Sequence, residues 1–231
     1  MKPIPNVDQY SDPIQFLRAM HVAILDRATA LENLVRASQK SDPRFDDPLW
    51  SELLHFFRRV LPVHEKDEEQ SLFPVLMKKL PHVGFQPRNS PTDFILTGHD
   101  VMNEHAESLV VLWHLYMDKG AAVYSGVSAK PFFETALELI ALVRDHIELE
   151  GREVYANAND LLTPEERYAI MEKIKQRHQS SVEMPMPAYD TSTSSMQVSY
   201  TMEDPVDLVS ESTLPIEQEA DDDEEETEDR A

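Results

Sequence analysis

Two strings constrain this chain more than any other feature: His64-Glu65-Lys66-Asp67-Glu68 and His146-Ile147-Glu148-Leu149-Glu150. Each sets a glutamate four residues after a histidine, and each follows a lone histidine about 40 residues upstream, His21 or His105. On a helix, residues four apart are offset by roughly 40° and 6 Å, so the two side chains of each pair point the same way. The doubled pattern describes a pseudo-symmetric site of four imidazoles and two carboxylates. It is the donor set of a metal site, with enough ligands for two ions.

The rest of residues 1–180 supplies the helices. Ile14, Leu17, His21, Ile24, Ala28, Leu31 and Val35 alternate steps of three and four, one face of a bundle helix. Ser11-Asp12-Pro13 offers a cap and a first-turn proline. A second helix, from about residue 48 to 80, carries Leu53, Phe57, Leu61, His64, Glu68, Leu72 and Val75 inward, with kinks expected at Pro62 and Pro74. A third shows Ile95, Met102, His105, Leu109, Leu112 and Tyr116 in phase. In a fourth, Phe132, Ala136, Leu139, Val143, His146 and Glu150 share a face. A short last helix opens on Thr163-Pro164-Glu165-Glu166, a capping box. The pattern predicts an all-α protein, an antiparallel four-helix bundle with a short extra helix at its C-terminal end.

One histidine on an apolar face is ordinarily a hydrogen-bonded core residue. Four, one per helix, with two glutamates at matching offsets, are a different matter. Burying two carboxylates without compensation costs several kcal/mol each, on the order that a cation must supply. Four imidazoles give one bond each and two bridging carboxylates two each, about eight protein bonds for two ions. Six-coordinate ions then keep room for solvent or a small ligand. Imidazole with carboxylate suits iron, with manganese, zinc or copper as chemical alternatives.

Composition narrows the chemistry further. The chain has no cysteine, which removes disulfides, iron–sulfur ligation and thiol catalysis. The net charge of −22 is uneven: residues 181–231 hold 16 of the 43 acidic residues and one of the 21 basic ones. That segment, rich in Ser, Thr, Pro, Asp and Glu, reads as a disordered acidic tail after a folded domain spanning 1–180. A protein partner for the tail, docking near 196–200 or 208–214, is the sharper alternative to a solvating role. No nucleic acid is expected as partner, since the tail repels phosphates. No secretory signal or membrane-length apolar run is evident, so a cytoplasmic location is expected. The zinc-protease pattern and glycine-rich phosphate loops are absent, and Glu52-x-x-His55 supplies only half of a ferritin-type pattern.

The strings FLRAMHVAILDR, VLPVHEKDEEQSLFPVL, NEHAESLVVL and LVRDHIELEGREVY resemble the hemerythrin superfamily, in particular the bacterial HHE cation-binding domains, over about residues 14–170. The resemblance implies a non-haem centre of two iron ions, oxo- or hydroxo-bridged, that meets O2, NO or peroxide. Carried over, the ligands are His21, His64, Glu68, His105, His146 and Glu150. Glu65, about 100° round its helix from the ligand direction, resembles an acidic ligand of iron-sensing relatives and is expected on a solvated or supporting face. His99, roughly 120° from His105, is expected at the surface or in support. Oxygen carriers of this family pair two histidines four apart in the third helix, whereas Val101 and Leu109 flank His105 at that spacing. They also space a histidine and an aspartate five apart in the fourth helix, where this chain has His146 and Glu150. Reversible oxygen carriage is therefore not expected. A binding or sensing protein is expected rather than an enzyme; the alternatives are a di-iron oxidoreductase and an iron- or redox-dependent interaction module acting through the tail.

Overall fold

Asp12 begins the first helix as its composition requires. Its carboxylate accepts the Gln15 amide hydrogen at 2.9 Å, and Pro13 occupies the first turn, where a missing N–H costs nothing. The computed structural model describes residues 1–40, 45–79, 91–119 and 129–182, all within one compact unit, Met1–Pro185. These residues are helical, with no strand among them. Of the expected disordered tail, 181–231, residues 181 and 182 close the last helix, and the rest, from 183 onward, lies outside the described residues.

The helices are α1 (Pro13–Ser38), α2 (Pro48–His55), α3 (Leu61–Asp67), α4 (Phe73–Lys79), α5 (Pro91–Lys119), α6 (Lys130–Glu153), α7 (Tyr155–Leu161) and α8 (Pro164–Val182). Helices α2, α3 and α4 form one rod, 48–79, joined through two π turns, Phe56–Val60 and Glu68–Leu72. Each π turn ends just before a proline. Pro62 and Pro74 lack an N–H and crowd the carbonyl four residues back, so the preceding turn widens. The Leu61 and Phe73 amides accordingly reach five residues back, to the carbonyls of Phe56 and Glu68. The proline kinks expected from sequence are thus absorbed as bulges, and the rod continues.

α1, the rod, α5 and α6 make the antiparallel four-helix bundle, each packing on its neighbours. Two apolar clusters fill its interior. One gathers Ile24, Leu31, Trp50, Phe57, Met102 and Val143; the other gathers Leu17, Met20, Leu72, Ile95, Tyr155 and Ile174. On every bundle helix the change from one cluster to the other falls at a histidine or glutamate: His21 lies between Met20 and Ile24, His99 between Ile95 and Met102. A polar layer is sandwiched between two dry ones.

The last two helices brace that layer. Thr163 and Glu166 exchange the two bonds of a capping box, 2.9 and 3.3 Å, at the start of α8. Arg167 reaches Asp12 at 2.6 Å, tying α8 to the start of α1. Farther along, Arg177 and His178 both hold the buried Asp67 carboxylate, the latter at 2.7 Å. Asp67 precedes Glu68, so α8 fastens the segment that carries one of the interior carboxylates.

Candidate metal centre

The polar layer brings together His21 from α1, His64 and Glu68 from the rod, and His146 and Glu150 from α6. The π turn that begins at Glu68 leaves the His64-x-x-x-Glu68 pair in register, with His64 Nε2 3.4 Å from Glu68 Oε1. The matching pair on α6 is as close, His146 Nε2 to Glu150 Oε1 at 3.1 Å. His21 faces both carboxylates, 3.5 Å from Glu68 Oε1 and 3.0 Å from Glu150 Oε2.

His105 is not among them. Its ring lies outside the layer, bonded through Nδ1 to the Val101 carbonyl at 2.8 Å and facing Glu138 at 3.4 Å with its side chain 27% exposed. The residue that α5 sends inward is His99, 1% exposed, its Nε2 3.6 Å from both Glu68 Oε2 and Glu150 Oε1. His99, expected at the surface or in support, instead faces both carboxylates, and the inward position expected for His105 is corrected with it. The cause is a phase ambiguity on α5. Between Met102 and Leu109, steps of three-then-four select His105, whereas four-then-three select Ala106; both satisfy the helical alternation. The structure buries Ala106, which turns His105 about 100° away and places His99 in line with Ile95 and Met102.

Two donor groups result, His21–His64–Glu68–Glu150 and His99–His146–Glu150, with the ligand atoms of each group all within 4.8 Å of one another. Each carboxylate divides its oxygens between them. Glu68 turns Oε1 to His21 and His64 and Oε2 to His99; Glu150 turns Oε2 to His21 and Oε1 to His99 and His146. A family model, the Hemerythrin HHE cation binding domain, matches residues 12–158. The chain belongs to the hemerythrin family. No curated protein and no solved structure matches it.

Hemerythrin HHE domains bind metal cations, and the donor chemistry of this hemerythrin layer fits one. His99 Nε2, His146 Nε2, Glu68 Oε2 and both oxygens of Glu150 are buried and make no hydrogen bond. Several lie near a partner, as His146 and Glu150 do, yet none is aligned for a proton to pass between them. Five such atoms in one place would each cost about 1–3 kcal/mol. A shared cation satisfies all of them at once.

Without a cation, protons take its place. Burial by itself would lower His21 and His99, but the Glu150 and Glu68 carboxylates beside them outweigh it, raising His21 to about 9 and His99 to about 10. Burial favours the neutral form of Glu150 too, yet the surrounding histidines hold it well below the ordinary carboxylate range. His64, wholly buried, falls to about 4 and stays neutral. His21 and His99 thus hold protons beside Glu150, and a metal must displace those protons to enter.

Supporting contacts fix the ligand directions. Glu69 Oε1 lies 2.7 Å from His99 Nδ1, which holds one ring proton there, so that Nε2 turns a lone pair inward once its own proton is displaced. Glu65, expected on a solvated or supporting face, is not solvated: it is 3% exposed, covered by Asn103, whose amide donates to it at 2.7 Å. Burial raises its carboxyl to about 7. With His99 as reference, Asn103 stands four residues on, where the oxygen carriers have their second histidine. Gly98 admits His146, since a Cβ there would meet His146 Nδ1 at 2.8 Å.

Tyr155 is the buried contact that sequence reasoning passed over. It opens α7, its ring stacks on His21 with centroids 5.0 Å apart, and its hydroxyl donates to Glu68 Oε1. Burial, with the charges of Glu68 and Glu150, pushes its phenol well above the ordinary range, so it stays a donor while no cation is bound. Its only sequence signal is its place five residues after Glu150. A water-sized cavity lies within the layer itself, lined by His21, His64, His99, His146 and Glu150, with Leu61, Met102 and Val143 among its apolar walls.

Proposed function

We propose that this chain is a non-haem di-iron protein that senses or handles O2, NO or peroxide. One observation carries the reading: both buried carboxylates present one oxygen to each of two histidine pairs, the disposition of bridging ligands between two ions. The proposed ligands are His21 and His64 on one side, His99 and His146 on the other, with Glu68 and Glu150 between. His105 has no part in it.

When bound, two irons supply one-electron redox steps and a place for a small oxidant. The protein's own contribution is exclusion and orientation. Leu61, Met102 and Val143 keep bulk water from the layer, and the small cavity enclosed by its own histidines and Glu150 is the space where ions and a ligand of a few atoms would sit. Glu69 and Tyr155 hold one ligand from each half. Four imidazoles leave the centre short of an oxygen carrier's complement, and Asn103 with Glu65 fills the space where a further ring would stand. Oxidation on contact with oxygen is therefore favoured over reversible carriage.

Elemental analysis after anaerobic iron loading tests the stoichiometry, with two irons per chain expected. Stopped-flow mixing of the reduced protein with O2, peroxide and NO then tests the role. A single stoichiometric oxidation supports sensing, whereas sustained turnover would assign the chain to the oxidoreductases. Saturation at one iron, or a spectrum restored fully by removing oxygen, would refute the reading.

A further inference from the structure

Tyr155 stands apart from the bundle yet touches its centre. It is fully buried, and its hydroxyl lies 3.2 Å from His21 Nε2 as well as against Glu68 Oε1. For bonds of about 2.0–2.2 Å, two ligand atoms at right angles on one ion stand roughly 3 Å apart. The donor atoms of the His21–His64 half have such separations: 3.0 Å from His21 Nε2 to Glu150 Oε2, 3.5 Å to Glu68 Oε1, and 3.4 Å between His64 Nε2 and Glu68 Oε1. The Tyr155 oxygen, 3.2 Å from His21 Nε2, matches these separations there, while its proton is donated to Glu68 Oε1.

We infer that Tyr155 is a ligand of the metal held by His21 and His64, binding through its phenolate oxygen. The inference rests on the reading of this layer as a metal centre. Coordination breaks the phenol O–H bond and forms an O–metal bond; the proton is released to water and no electron is transferred. A bound cation reverses the local charge balance, since an anion that is costly beside two bare carboxylates becomes favourable beside the ion they share. The donor is hard and anionic, so it favours the ferric state and draws the two halves apart in character: two imidazoles and a phenolate on one side, two imidazoles on the other. The stacking of the Tyr155 ring on His21 holds both groups to one approach direction.

Full-length protein loaded with iron in air provides the test. Metal content is measured first, then the visible absorption and the resonance Raman spectrum excited within it. The wild type should show a phenolate-to-iron charge-transfer band and tyrosinate ring modes. Both should vanish in Tyr155→Phe, which keeps the ring and its stacking, and persist in Tyr168→Phe, an exposed tyrosine on α8. The midpoint potential of Tyr155→Phe should also rise. Iron bound without tyrosinate modes in the wild type would overturn the ligation and leave the metal reading standing. Modes that persist in Tyr155→Phe would overturn it as well. A wild type that binds no iron would sink both. The wild-type spectrum decides even if the variant does not fold.

Discussion

Gly98→Ala sets a local gain against a local clash. Within α5, alanine is preferred over glycine by about 0.8–1.0 kcal/mol, because it loses less backbone freedom on folding. Here the new methyl would lie 2.8 Å from His146 Nδ1 and 3.4 Å from Cε1, where ordinary contacts begin near 3.4 Å. The ring or the helix must therefore yield by about 0.6 Å, and overpacking of this kind costs about 1–3 kcal/mol. The expected sum for the metal-free protein runs from no change to a loss of about 2 kcal/mol, a fall in Tm of up to about 4–8 °C for a domain this size. Metal binding should suffer more than folding does. A displacement of about 0.6 Å exceeds the roughly 0.2 Å that ligand distances tolerate, so affinity should drop about 10–100-fold, as when a ligand's orienting contact is lost. The loss should fall on the His99–His146 half. Chelator competition on the loaded protein and thermal melts of the metal-free protein measure the two quantities separately. Gly151→Ala is the control, because a Cβ there meets nothing within 4 Å; it should gain about 1 kcal/mol and bind metal as before. If Gly98→Ala behaves like Gly151→Ala, His146 has slack and the packing argument is wrong.

Two further outcomes follow from the layer. His99→Ala should bring iron content to one per chain or fewer, while His105→Ala should leave it unchanged and cost at most about 1 kcal/mol for its bond to Val101; equal losses would mean that α5 is rotated from the phase described. Raising pH should act with opposite signs on stability and metal affinity. His21 and His99 titrate near 9 and 10 when folded but near 6.5 when unfolded, so their stabilisation of the metal-free protein is complete below 6.5 and is lost as pH rises through 9 to 10. Over the same window metal displaces fewer protons and binds more tightly. Melts and chelator competition between pH 7 and 9 check both slopes, and parallel slopes would show that the two histidines are not the protonated partners of Glu68 and Glu150.

Much of this protein is written in local sequence. Helices α1 and α6 carry unbroken three-four alternations, Asp12-Pro13 and Thr163–Glu166 mark helix starts, and two His-x-x-x-Glu strings lie on apolar faces. Each is a short-range relation, set by the 3.6-residue turn and by capping chemistry, so it survives without knowledge of any neighbour. Five of the six expected donors meet in the interior for that reason. What needed the tertiary structure were matters of phase and of distant partners. His99 and His105 are both compatible with the periodicity of α5, and only packing of Ala106 between the other helices selects His99. Glu65 looks solvated along its own helix, because Asn103, which covers it, belongs to another. Tyr155 lies beyond the end of α6, and no helical period connects it to Glu68, 87 residues earlier. The bundle follows from periodicity, whereas the composition of its polar layer follows from which faces the packed helices turn toward each other.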